Sequence, residues 1–175
     1  MITGVDPSSR KLAVVTTFGD WAEPEMLTFD LPENHIEGCG LAFRRFFEYL
    51  SGVKERTGHT PFVFQERPLM SNMNPHSTIV QALVGGAAIA AAEECMCQAD
   101  LVNVQTWKKL VVGKGNASKP EVSEWVHENW PVAYDLAGGD QDLLDAAAIN
   151  RHGNMVLNAP KRRIVIRRPK LKVVA

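Results

Sequence analysis

The chain has 175 residues, is 45% hydrophobic and carries a formal net charge of −1, which suits one domain with a real buried core. No basic flank followed by an apolar core opens it, so no secretory signal is expected. The longest mostly apolar run, residues 79–92 with Gln81 inside it, is too short to span a bilayer, so the expectation is an intracellular protein with no membrane partner.

In chain order, Ile2 to Val5, Lys11 to Thr17 and Glu25 to Phe29 or Asp30 read as three short strands. Ser8-Ser9 and Gly19-Asp20 mark the turns of an antiparallel meander. A helix follows from Glu37 to Lys54, with Leu41, Phe43, Phe46, Phe47, Leu50 and Val53 at helical spacing. Gly58 ends it, and Pro61 to Glu66 is a short buried strand. A loop over 67–76 leads to a second helix from Ser77 to Cys97, whose Gly85 to Ala92 segment is nearly free of side-chain bulk, so another backbone can approach it closely.

Leu101 to Val104 reads as a fifth strand and Thr106 to Lys109 as a short helix or turn. Ser118-Lys-Pro-Glu121 matches a helix-starting capping box, and a final helix runs from about Asp140 to Arg151. The order βββαβαβαα describes an α/β fold, a mixed five-stranded sheet flanked by helices.

Charge is distributed unevenly. Seven of the 19 lysines and arginines lie between Lys161 and Lys172 with no acid among them, leaving 12 cations against 20 acids in the rest. A cationic tail on an acidic body suits a polyanion held by the tail and cations held by the body; a merely solubilising tail is the alternative. Cys39, Cys95 and Cys97 lack the paired spacing of a zinc site. Neither a metal role nor a disulfide is expected of them, and Cys95-Met-Cys97 reads as the buried end of a helix.

Four carboxylates sit where burial pressure is high. Asp6 closes the first strand, Glu66 closes the fourth, and Asp142 and Asp145 lie three apart on one face of the last helix. Each has an ordinary reading alone: Asp6 as a turn residue before Pro7, Glu66 as an ion-pair partner, Asp142 as an acid favoured at a helix amino end. Were the first and fourth strands neighbours, Asp6 and Glu66 would lie side by side, with Asp142 and Asp145 laid against them. Oxygen-rich clusters of this kind select Mg²⁺ or Mn²⁺, and a pair of such ions about 3.5–4 Å apart suits in-line phosphoryl transfer.

The motifs GVDPSS (4–9), FQERP (64–68), VVGKGNASK (111–119) and DLLDAAAI (142–149) together resemble the RuvC family of Holliday-junction resolvases, in order and spacing, from residue 2 to about 150. The resemblance implies an RNase H-like fold over residues 1–158, a homodimer, and Mg²⁺-dependent hydrolysis of branched DNA with two ions per site, Mn²⁺ substituting. It implies Asp6, Glu66, Asp142 and Asp145 as metal ligands and catalytic acids, with Lys119 as a catalytic cation. The family's other lysine corresponds to Lys108 or Lys109, of which Lys108 has the better spacing, and Lys114 is an additional cation between Gly113 and Gly115.

Asp140 fits the motif less well and reads as a capping or supporting acid. DNA contact is expected of Lys108, Lys109, Lys114, Lys119 and Arg67, and of Leu69 and Met70, apolar wedges where some members carry an aromatic. That departure and the basic tail, residues 159–175, mark a divergent member. The rival readings are an RNase H-like nuclease for flaps, forks or RNA–DNA hybrids, and a non-catalytic junction-binding module. His76 and His152 are not expected to be ligands.

Overall fold

The computed structural model describes residues 1–19, 23–68 and 75–159. Its strands are β1 (Ile2–Pro7), β2 (Lys11–Thr17), β3 (Glu25–Asp30), β4 (Phe62–Glu66) and β5 (Ala99–Val102), and its helices are α1 (His35–Thr57), α2 (Pro75–Glu94), α3 (Val104–Val111), α4 (Lys119–Asn129), α5 (Pro131–Ala137) and α6 (Gln141–Asn158). The sheet order is β3-β2-β1-β4-β5. The first three strands form the antiparallel meander, and β1–β4 and β4–β5 are parallel. The expected α/β architecture of five mixed strands between helices is therefore present, with β1 and β4 adjacent.

Strand alternation sorts the sheet's two faces. Val5, Leu12, Val14 and Val63 point into a core with Phe46 and Leu50 of α1 and Val84 and Ala88 of α2. On the opposite face, Ala13 and Val15 pack against Ala146 and Ala147, and Ile2 and Phe64 against Trp107 and Ile149. Asp6, Lys11 and Glu66 fall in step with this second set, so alternation directs all three towards α6.

Helix α6 lies directly on β1. A methyl group on Gly4 would collide with the backbone of Ala146 and Asn150, so only glycine permits this approach. Asn150 fixes the register: its amide donates to the carbonyls of Ile2 (2.8 Å) and Val15 (3.0 Å) and its carbonyl accepts from Thr17 (3.2 Å).

Several boundaries differ from the sequence expectation. Asn103 caps α3 by accepting from the Gln105 amide, so the fifth strand stops at Val102 and Val104 belongs to a helix. Pro131–Ala137 forms a helix that the pattern did not mark, opened by a proline and closed by Gly138 in the left-handed region. The last helix runs seven residues beyond Arg151, to Asn158. Helix α2 ends at Glu94; Cys95 and Cys97 are buried just past it, around Met96 with φ 62°. Among the described residues, no helix is long and apolar enough to cross a membrane.

Candidate active site

Asp6 and Glu66 meet at the carboxyl ends of neighbouring parallel strands. Val5 pairs with Gln65, so the two acids are the next residues along each strand. Asp6 is 8% exposed. Its carboxyl group is pushed well above the usual range, first by burial and then by the charges of Glu66, Asp145 and Asp142, with Lys119 opposing. The four acids named from sequence thus act on one another across β1, β4 and α6.

Glu66 and Asp145 are each also held by a specific neighbour. The Trp107 indole N–H donates to Glu66 Oε2 at 2.8 Å. Burial raises the Glu66 carboxyl group nonetheless, with the Trp107 hydrogen bond opposing, Asp145 adding to the rise, and Lys108 and Lys119 lowering it. Asp145, 9% exposed, is raised by burial against an opposing hydrogen bond from Gln141, whose amide donates to Asp145 Oδ1 at 3.0 Å. Lys108 and Lys119 act on Asp145 as well.

Asp140 caps α6, its Oδ1 accepting from the amides of Asp142 (3.0 Å) and Leu143 (3.3 Å). Its Oδ2 takes the Lys11 ammonium at 2.7 Å, and the same Nζ lies 3.8 Å from Asp142 Oδ2. The Asp140 contact raises the Lys11 ammonium. Against the cost of partial burial, Lys11 and the two backbone amides hold Asp140 low.

The lysines divide into two groups. Lys108, which lies 5.4 Å from the centre of the Trp107 ring, donates to the Ala117 carbonyl at 2.7 Å, and with Lys119 it faces the acids. Lys109 instead borders a surface hollow with Asn103, Gln105, Thr106 and His152. Lys114 pairs with Glu121 at 2.7 Å, and Glu121 also accepts from the Ser118 amide and hydroxyl. Arg67 is exposed at the edge of a groove of about 590 Å³ that includes Ile79, Leu83 and Leu101. Leu69 and Met70, like the tail from 160 onward, lie outside the described residues.

Among the described residues, no three His, Cys, Asp or Glu side chains already converge as a metal-binding group. Glu66 accepts from Trp107, Asp145 accepts from Gln141, and Asp142 lies 3.8 Å from the Lys11 ammonium. The donor set itself fits hard divalent ions: four carboxylates, three of them raised by burial and by one another, form an anionic cluster that oxygen-seeking cations neutralise. His76 instead packs at a tilt against His35, ring centres 5.1 Å apart, and His152 packs edge-on against Phe64 at 6.1 Å. Burial lowers the pKa of His152.

Sequence reasoning did not identify Trp107, Gln141 or Lys11 as parts of the site. Trp107 adjoins the lysine pair, Gln141 precedes Asp142, and Lys11 opens an otherwise apolar strand. Those were the available signals.

No family model matches the chain. Two curated relatives do: the crossover junction endodeoxyribonuclease RuvC of Chlamydia pneumoniae, 33% identical over 113 residues (62% of this chain, 64% of the relative), and that of Chlamydia muridarum, 30% identical over 107 residues (61% and 62%). The matched part thus spans under two thirds of either relative. Two solved structures superpose over more of the chain. RuvC of Thermus thermophilus gives a TM-score of 0.66 at 21% identity, covering 89% of this chain and 94% of that one. The same protein in complex with Holliday junction substrate gives 0.65 at 22%, covering 89% and 93%. The chain has the RNase H-like fold of these structures, and its sequence is similar to the RuvC-type resolvases.

Proposed function

We propose that this protein is a divalent-metal-dependent endonuclease that cleaves branched DNA, with the four-way junction as its substrate. The observation that carries this reading is the buried Asp6 beside Glu66 at two strand ends, with Asp142 and Asp145 close enough to raise it and Lys119 opposing them. The likeness to junction-cleaving enzymes in sequence and fold supports it.

Asp6, Glu66, Asp142 and Asp145 would hold two Mg²⁺ ions, for which Mn²⁺ substitutes. Bound there, such ions supply neutralisation of phosphate charge and activation of a water. The water oxygen would form a new bond to phosphorus as the P–O bond to the leaving sugar oxygen breaks; the water gives up a proton to solvent, and the leaving oxygen takes one from solvent to become a hydroxyl. Trp107 and Gln141 orient Glu66 and Asp145. Lys119 and Lys108 face the same cluster and are the groups placed to stabilise charge on the phosphate as it develops.

Backbone phosphates beyond the scissile one would meet Arg67 and Lys109, which are exposed, and Lys114 where it exchanges Glu121 for phosphate. Leu69 and Met70 are proposed to wedge between bases at the crossover. The basic tail, treated as a segment separate from the domain of residues 1–158, adds phosphate contacts.

A homodimer completes the reading. Ile79, Ala82, Leu83, Gly86 and Ala90 are exposed along one side of α2. This apolar stripe suits a second copy of the chain, and twofold symmetry would place two sites for paired nicks. The test is cleavage of a fixed four-way junction in Mg²⁺ beside duplex, flap and RNA–DNA hybrid controls. Symmetric paired nicks in the junction alone support the proposal. Preferential cutting of flaps or hybrids, or tight binding without cleavage, would favour the rival readings.

A further inference from the structure

The Lys11 ammonium is a cation already resident at the acid cluster. It lies 2.7 Å from Asp140 and 3.8 Å from Asp142, two acids of the same helix end. Asp140 divides its two oxygens, one capping α6 through the Asp142 and Leu143 amides and the other holding Lys11. Lys11 itself is fixed by its strand, in register with Asp30 of β3. Its partners are partly exposed, with Lys11, Asp140 and Asp142 side chains at 27%, 26% and 27%. The contact is therefore partly screened by solvent, and it sits where a divalent ion on Asp142 would find a positive charge already present.

We propose that Lys11 and Asp140 form a charge-sharing pair that sets the divalent-cation affinity of the Asp142 corner, Asp140 acting to hold Lys11 off Asp142. Lys11 is thus a positioning residue acting through the carboxylates, with no contact to the reacting phosphate required. The inference rests on the nuclease reading, since it needs Asp142 to be a metal ligand. The physical basis is simple. A unit charge about 4 Å from a carboxylate, in a solvent-screened setting, alters its attraction for a second cation by about five-fold or more. Without Asp140, the nearest remaining acid for the Lys11 ammonium is Asp142.

The pair makes a prediction that a merely structural role does not. Lys11→Met keeps most of the side-chain length and removes the competing charge, so Mn²⁺ binding should tighten by about five-fold. Asp140→Asn keeps the helix cap, since asparagine also caps well, but releases Lys11 onto Asp142, so Mn²⁺ binding should weaken by a similar factor. Simple addition of charges would also give opposite signs, so the double variant decides. In the Lys11→Met background, Asp140→Asn should weaken affinity by clearly less than it does in the wild type, because only the Asp140 charge is lost and no lysine remains to be released.

The experiment is calorimetric Mn²⁺ titration of the full chain for wild type, both single variants and the double variant. Thermal melts would confirm that each is folded, and Asp6→Asn is the control for the site. Non-additivity of the stated sign supports the pair. Fully additive effects, or shifts of both single variants in one direction, overturn it while leaving wild-type metal binding and cleavage intact. Absence of Asp6-dependent Mn²⁺ binding in the wild type would overturn the nuclease reading and this inference together.

Discussion

The indole N–H of Trp107 donates to the Glu66 carboxylate at 2.8 Å, joining a fully buried residue of α3 to the end of a strand 41 positions earlier. Trp107 is the largest fully buried side chain among the described residues, so the carboxylate it holds has little freedom to turn. Its neighbour Lys108 lies over the same ring and faces the same acids. One short helix thus supplies both a fixed donor and a cation.

Trp107→Phe should therefore separate orientation from packing. Phenylalanine fills most of the site but leaves Glu66 without its donor, at a cost of about 1–3 kcal/mol for the unmade hydrogen bond and the residual cavity. Denaturant unfolding measures that loss. Single-turnover cleavage should slow by about ten-fold at saturating Mg²⁺, as misplacement of a catalytic group predicts.

Asp6→Asn should abolish cleavage and yet stabilise the metal-free protein. The Asp6 carboxyl group is raised in the folded state by burial and by three neighbouring acids. The folded chain therefore holds a proton that the unfolded chain releases near pH 4. The sign follows: metal-free stability falls as pH rises from about 4 through the raised pKa. Melts in chelator between pH 4 and 8 should show this decline in the wild type and a flatter profile in the variant. Added Mg²⁺ should raise the wild-type melting temperature more at the upper end of that pH range than at its lower end, where protonation of Asp6 competes with the ion.

Gly4→Ala tests how the site is assembled. A methyl group there meets the α6 backbone at Ala146 and Asn150, with no flexible side chain to yield. Overpacking against backbone should cost about 3 kcal/mol or more. It should also displace Asp142 and Asp145 from Asp6, so cleavage should fall further than stability alone explains. Paired melting and cleavage measurements check both.

Lys119→Ala and deletion of residues 160–175 should have opposite signatures. Loss of the lysine removes a charge that opposes the acids and should slow cleavage about 10²–10³-fold, with a much smaller loss of junction affinity from its one phosphate contact. Loss of the tail, with its seven cations, should weaken junction binding and flatten its salt dependence, leaving the rate of the bound complex near wild type. Binding isotherms at several salt concentrations, with single-turnover rates, separate the two.

The acids could be named from sequence because strand ends and helical spacing are local properties. Asp6 and Glu66 each close an apolar strand, and Asp142 and Asp145 share a helix face whatever that helix packs on. Their supports were not legible in the same way. Lys11 meets Asp140 across 129 residues and Trp107 meets Glu66 across 41, pairings that only the assembled sheet and helices create. The missed α5 is a seven-residue helix, too short for its periodicity to stand out. Val104 was misassigned because Asn103, read as part of a strand, is the cap that starts α3.

The most direct measurement is cleavage of a fixed four-way junction by the full chain in Mg²⁺, with wild type and Asp6→Asn side by side. The expected result is symmetric paired nicks by the wild type and none by the variant, with both proteins folded. Cleavage by Asp6→Asn at the wild-type rate would contradict the assignment of the acid cluster as the catalytic centre.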